Sequence, residues 1–253
     1  MKNIKFEECF LKNMEDNISV EDLKEIHDKR DGSYERQYLD NFYCPECFVA
    51  QLSFHPNAKT PHFRSNGIHD KGCSYNFTRA NRKEIEYYCN DPENRDTVNR
   101  KLKYCLDLLI LCGQQATRGK TSLGNRRSID NPNYCTIEIN LKRKSIRRKK
   151  LTVPFTEEDY NLPIIFYGTV LLEWDLRNAD VKFLRLKNPN RNNYICSIAI
   201  SKNIYLYIEE SMKFNGAKIC DMAFLGSMEK KDNFNNCRIK YSTELEIKIR
   251  NTK

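Results

Sequence analysis

The chain has 253 residues, enough for one large or two small domains. Its hydrophobic share is 40% and its charged share 30%, and Lys and Arg outnumber Asp and Glu by 43 to 34 for a net charge of +9, a basic balance that suits a polyanionic partner. No run approaches the ~18 apolar residues of a membrane span, the first residues lack the apolar core of a signal peptide, and eleven cysteines, an odd number scattered over a long chain, exclude a simple disulfide framework and point to reduced thiols in the cytoplasm.

Lys5 to Leu11 alternates as a first strand. Ser19 can cap a helix whose Val20, Leu23, Ile26 and His27 share a face, with Asp22 as the capping-box partner and Gly32 as the stop. Tyr34 to Tyr43 reads as extended and leads into Cys44-Pro45-Glu46-Cys47. Two thiolates at this spacing can grip one tetrahedral ion. Gln51 to Phe54 is the returning strand, Pro56 to Pro61 a turn, and Asn66-Gly67 a second turn before His69-Asp70-Lys71-Gly72-Cys73.

Together these residues spell Cys-x2-Cys-x21-His-x3-Cys, a zinc pattern with Cys44, Cys47, His69 and Cys73 as ligands and His62 as the alternative fourth ligand. The polar, proline-containing surroundings argue against unmetallated core thiols. Four protein ligands leave no open position, which is the mark of a structural ion rather than a catalytic one. Phe42-Tyr43-Cys44-Pro45-Glu46-Cys47, Pro61-His62-Phe63-Arg64 and His69 to Cys73 together resemble the N-terminal zinc-finger module of the competence CoiA-like family, over about residues 40–77 only. The resemblance implies a nuclease domain beside the finger and DNA as substrate. This chain has Ser65 where the family pattern has its second histidine, which shifts weight from His62 to His69.

Thr78 is a cap for a helix through Tyr88, and a clearer helix follows with Val98, Leu102, Cys105, Leu106, Leu109, Ile110 and Cys112 on its apolar face and Gly113 at its end. Gly113 to Asn133 has no periodicity and reads as a polar loop; Gly119-Lys120-Thr121 within it lacks the upstream glycine and strand of a phosphate-binding loop. Tyr134 to Leu141 alternates as a strand, and residues 142–150 then carry seven cations in nine positions. Among these, Arg147, Arg148, Lys149 and Lys150 are candidates for phosphate contact.

From residue 151 the pattern is that of strands: Ile164 to Trp174, with Gly168 at a bend or bulge, Val181 to Lys187, and Tyr194 to Ile200. A helical stretch, Ile204 to Met212, separates them from strands at Ala217 to Leu225 and Arg238 to Ile249. Three strands, a helix and two strands is the element order of an OB-fold, with a β-sandwich as the alternative.

The reading is an α+β protein. An N-terminal zinc-binding α/β module (1–96) is joined by a helix and basic linker (97–150) to a C-terminal five-stranded OB-like β-barrel (151–253). The expected function is zinc-containing and non-enzymatic: binding of nucleic acid, single strands favoured, through Tyr167, Phe183, Arg185, Lys187 and Tyr194 on the first three barrel strands, since such barrels stack bases on aromatics and hold phosphates with cations. A nuclease built on Glu246 and Lys248 with Asp221 or Asp232 is one alternative, although these read first as polar outer residues of the last strand. A protein-docking adaptor is another. No Ser-His-Asp set, dinucleotide loop or His-Glu-x-x-His helix is present.

Overall fold

The computed structural model describes residues 5–114 and 134–250, and the side chains of residues 110–114 are left aside. The loop expected over 113–133 falls outside the described residues beyond Gln114. The chain forms two compact units, one of Met1–Thr78 with Ile110–Thr136, the other of Arg79–Leu109 with Ile137–Lys253.

The first unit holds two small sheets. The predicted first strand is broken in two, β1 (Lys5–Phe6) and β2 (Glu8–Leu11), which serve different sheets. With β3 (Asp16–Ser19) and β4 (Phe42–Tyr43), β2 forms the order β3-β2-β4; β1 joins β5 (Leu52–His55) and β6 (His62–Ser65) in the order β1-β6-β5. Helix α1 (Val20–Asp28) starts where expected, because Ser19 Oγ accepts the Asp22 N–H at 3.1 Å. Gly32 does not end α1. It adopts φ 75° and opens a five-residue helix, α2 (Ser33–Gln37), so the segment expected to be extended begins helically. A core of Phe6, Leu11, Leu23, Phe42, Leu52 and Phe63 encloses three of the metal-type cysteines.

The second unit opens with α3 (Arg82–Asn90), capped by Asn81 rather than Thr78 through a reciprocal capping box with Glu84. Next comes α4 (Arg95–Gln114), whose Val98, Leu102, Cys105 and Leu106 are buried. The second unit thus begins at Arg79. The reason is visible in the bonding: Ala80 N–H donates to Ser145 O at 2.9 Å and Lys144 pairs with Glu84, which tie the start of this segment to the strands before the barrel.

Those strands are β7 (Thr136–Ile139), β8 (Lys142–Ser145) and β9 (Arg148–Lys150). Asn140 and Leu141, at φ 50° and 60°, make the two-residue turn between β7 and β8. The barrel strands are β10 (Pro163–Asp175), β11 (Val181–Lys187), β12 (Tyr194–Ser201), β13 (Ala217–Lys231) and β14 (Phe234–Arg238), with β15 (Leu245–Ile249) outside the ring. The five close as β10-β11-β12-β14-β13-β10; every pairing is antiparallel except β12 with β14. Closure removes the edges that an open sheet would expose.

Alternation fills the ring. Ile164, Phe166, Val170, Leu172 and Trp174 of β10 point inward, as do Leu184, Leu186, Cys196, Ile198, Met222 and Phe224. Helix α5 (Lys202–Leu206) and a turn at Glu210–Met212 replace the longer helix expected over 204–212. They bring Ile208 and Met212 into the core, and Trp174 Nε1–H donates to Met212 O at 2.9 Å. Gly168 marks no bulge, since β10 stays in register with β13 through it. A Cβ there would lie 3.3 Å from Leu151 Cβ and 3.5 Å from Leu151 N, so glycine gives the segment before the barrel room to cross.

The strand expected over Arg238–Ile249 is a turn at Ser242–Glu244 followed by β15, and the strand before it, β14, was not expected. The fifth ring strand is β14, residues 234–238, and β15 pairs with β13 outside the ring. Among the described residues, no helix is long and apolar enough to cross a membrane.

Candidate metal centre and candidate nucleic-acid interface

Cys44 leaves β4 directly into a knuckle. Cys44 N–H donates to Ala50 O at 2.8 Å and Phe48 N–H to Cys44 O at 3.0 Å, and Phe48 takes φ 58° to complete the turn. The second half is the compact loop after Gly67, where Cys73 N–H donates to Asp70 O at 3.0 Å. Gly67 packs against the first half: a Cβ would lie 3.0 Å from Gln51 N, so only glycine allows the approach without displacement.

The ligand atoms of Cys44, Cys47, His69 and Cys73 all lie within 4.8 Å of one another. Cys44 Sγ is 3.9 Å from Cys73 Sγ, and His69 Nδ1 is 3.6 Å from Cys47 Sγ and 3.5 Å from Cys73 Sγ. Zinc–ligand bonds of about 2.3 Å to sulfur and about 2.0–2.1 Å to nitrogen at tetrahedral angles require S···S near ~3.7 Å and S···N near ~3.6 Å. The four residues can thus hold a metal ion, and the set is compatible with zinc. His62 lies elsewhere: it faces His55 across β5 and β6 with ring centroids 5.2 Å apart, and its Nδ1 is 2.9 Å from Thr60 O.

The electrostatics favour a cation. Burial pushes the Cys44 and Cys73 thiols well up, whereas hydrogen bonds from Cys44, then Cys73, hold Cys47 far below the ordinary thiol range. Three sulfurs in so dry a place cannot all ionise without a positive charge among them.

Sequence reasoning missed Glu46, one of the two residues between the paired cysteines. It is 1% exposed, and its Oε2 accepts from Ser74 N at 2.7 Å and Ser74 Oγ at 2.6 Å while Oε1 accepts from Cys135 N at 3.3 Å. One carboxylate thereby joins the two halves of the centre. The only hint in the sequence was an acid inside a Cys-x2-Cys. Outer partners of this kind are worth about 10–100-fold in metal affinity. We expect Glu46→Ala to weaken zinc binding within that range in a competition titration with a chromogenic chelator, and Glu46→Gln, which still accepts from Ser74, to weaken it far less.

The barrel carries a second candidate site. An open concavity of about 590 Å³ lies on the outer face of β11, β12 and β14, between the β10–β11 loop and the β13–β14 turn. Leu184 and Leu186 face the core, so Phe183, Arg185 and Lys187 project outward together and line it. Tyr194 joins them, its hydroxyl 3.0 Å from Ser197 Oγ and 3.1 Å from Asn235 O. Arg177 and Lys231 add charge at either end, and Phe234, 56% exposed, meets Tyr194 edge-on at 5.5 Å. Phe234 had escaped sequence reasoning because its strand had.

Asp175 organises the cations. Its carboxylate receives Arg177 Nε and Nη2 at 2.8 and 2.7 Å and Arg185 Nη2 at 2.6 Å, and the hydrogen bonds from Arg177 hold its pKa well below the usual carboxylate range.

Several nominated residues lie away from this face. Tyr167 is 2% exposed, with the Arg148 guanidinium 5.7 Å from its ring centre, so its ring is closed to a base. Lys149, 1% exposed, pairs at 3.1 Å with Asp159, which is fully buried and also takes Arg147 at 2.8 Å. Arg147, Arg148 and Lys149, expected at phosphates, are drawn into the fold by a buried carboxylate and a ring, and Lys150 is half-buried in β9.

The nuclease alternative finds its carboxylates occupied. Asp221 accepts from Thr169 Oγ1 at 2.7 Å and from Arg250 at 2.8 Å, and Glu246 accepts from Asn99 at 2.6 Å with Lys103 at 3.5 Å. Asp232 sits at the β13–β14 turn, on the rim of the concavity. Among the described residues, the four-residue Cys/His set is the one metal-type cluster. Comparison of the chain with family models, curated proteins and solved structures returned no match.

Proposed function

We propose that this protein binds single-stranded nucleic acid on the outer face of its barrel, with a structural zinc ion in the first unit and no catalysis of its own. The observation that carries the reading is the concavity over β11, β12 and β14, where Phe183, Tyr194 and Phe234 stand among Arg177, Arg185, Lys187 and Lys231. The ring order β10-β11-β12-β14-β13, the parallel β12–β14 pair and the helical plug after β12 support an OB-type barrel. In that fold the second and third strands and the flanking loops form the oligonucleotide face. Flat rings accept any base face, and cations track the phosphates. The zinc reading rests on the closed Cys3His donor set, which leaves no position for substrate.

The test is fluorescence anisotropy with a labelled single strand over a salt series. Four cations at the site predict a slope of log K against log salt of about −3, at roughly −0.7 per phosphate neutralised. Tight binding of duplex in preference to single strand, or no binding at low salt, overturns the proposal. A stable protein partner in the absence of any strand binding would favour the adaptor alternative.

A further inference from the structure

Among the residues lining the concavity is an amide with no side-chain hydrogen bond to the described residues. β14 carries two adjacent asparagines on opposite sides of the strand. Asn235 is fully engaged: its Nδ2 donates to Ile195 O at 3.0 Å and its Oδ1 accepts from the Tyr160 hydroxyl at 2.8 Å. Asn236 points the other way, lines the concavity, and makes no side-chain hydrogen bond to the described residues. It lies in register with Ser197 of β12, which is in register with Arg185 of β11. Along the strands, Tyr194 and Phe234 stand to one side of this row and Phe183 to the other. A base stacked on Phe234, two residues along the same strand, would bring its edge to the Asn236 amide.

An amide presents one acceptor beside one donor, which matches an exocyclic amino group beside an unprotonated ring nitrogen. Adenine offers that pair as N6 beside N1 or N7, and cytosine as N4 beside N3, whereas uracil offers neither; Asn–adenine is a recurrent bidentate match. Adenine also has the larger two-ring face for stacking on Phe183 or Phe234. We propose that Asn236 makes the barrel face select bases with an amino group beside an unprotonated ring nitrogen over uracil, its Oδ1 accepting from the amino group and its Nδ2 donating to the ring nitrogen, with adenine ahead of cytosine through its wider stacking face. This inference rests on the reading of the barrel face as a single-strand site; the cations give general affinity and Asn236 gives the choice of base.

The experiment compares labelled oligo(A), oligo(C) and oligo(U) in anisotropy titrations with wild-type protein, Asn236→Ala and Asn236→Asp. Wild type should bind oligo(A) about tenfold or more tighter than oligo(U), within the range expected of one bidentate amide–base pair, with oligo(C) between them. Asn236→Ala should lose affinity for oligo(A) and oligo(C) but not for oligo(U), and Asn236→Asp, which replaces the donor by an acceptor, should lose the preference over oligo(U) as well. A thermal melt matching wild type confirms that each variant is folded. Equal wild-type binding of all three strands, a preference for cytosine or uracil, or an equal loss on every strand in Asn236→Ala overturns the assignment while leaving the single-strand reading standing. Failure to bind any strand overturns both.

Discussion

Cys44→Ser and Cys73→Ser should each abolish stoichiometric zinc, whereas wild-type protein should carry close to one zinc per chain by elemental analysis. Both sulfurs are fully buried and 3.9 Å apart, so neither can be replaced by water without opening the centre. The binding free energy of a structural zinc site is on the order of 10 kcal/mol and is available only to the folded state. Because a small domain is stable by roughly 5–15 kcal/mol, removal of the ion takes away most of that margin. The first unit does have its own apolar core, including Leu23, Phe42 and Phe63, but Cys44, Cys47 and Cys73 lie inside the same core and would become uncompensated polar groups. Limited proteolysis after chelation should therefore cut within residues 5–78, while the barrel, with its own core of Phe166, Leu184, Ile198 and Phe224, stays resistant. A metal-free chain that keeps wild-type protection over 5–78 would sink the structural role.

Removing the two outward phenylalanines of the barrel should nearly abolish strand binding. Stacking of a base on an aromatic side chain is worth about 1–3 kcal/mol. Phe183 and Phe234 lie on different strands, so the double variant Phe183→Ala/Phe234→Ala is expected to lose about 2–6 kcal/mol, read as a fall in affinity of at least about thirtyfold. Phe234 is 56% exposed and Phe183 is half-buried, so the thermal midpoint should move little. The salt slope should also persist, because the cations remain. Arg185→Ala and Lys187→Ala should behave in the opposite way, each reducing the slope by roughly 0.7. An unchanged affinity in the double phenylalanine variant would remove the stacking role of this face.

The metal centre was legible in the chain because its chemistry is local. Two cysteines two residues apart and a histidine four before a cysteine are constraints that hold in almost any surrounding fold. The long barrel strands were legible for a similar reason: β10 is a long apolar run, buried on both faces over 163–168, and β11 alternates Leu184 and Leu186 inward with Arg185 and Lys187 outward, which fixes its register. Strand β14 was not, because Phe234-Asn235-Asn236-Cys237-Arg238 has poor strand propensity and only Cys237 faces the core. Its hairpin with β13 is local, but it closes the ring by pairing with β12 across about 40 residues, which no local window contains.

The sequence alone therefore determined the ligand types and spacing of the metal set, the basic charge and the alternating strands, all properties of neighbouring residues. Tertiary structure decided the rest. It chose His69 by placing His62 opposite His55 on a hairpin, buried Lys149 on Asp159 and Tyr167 behind Arg148, and joined both knuckles through Glu46. It also brought Phe234 and Asn236 beside Phe183 and Tyr194. Each of these depends on which distant groups share a burial site, and a buried charge or amide finds its partner only when the chain has closed around it.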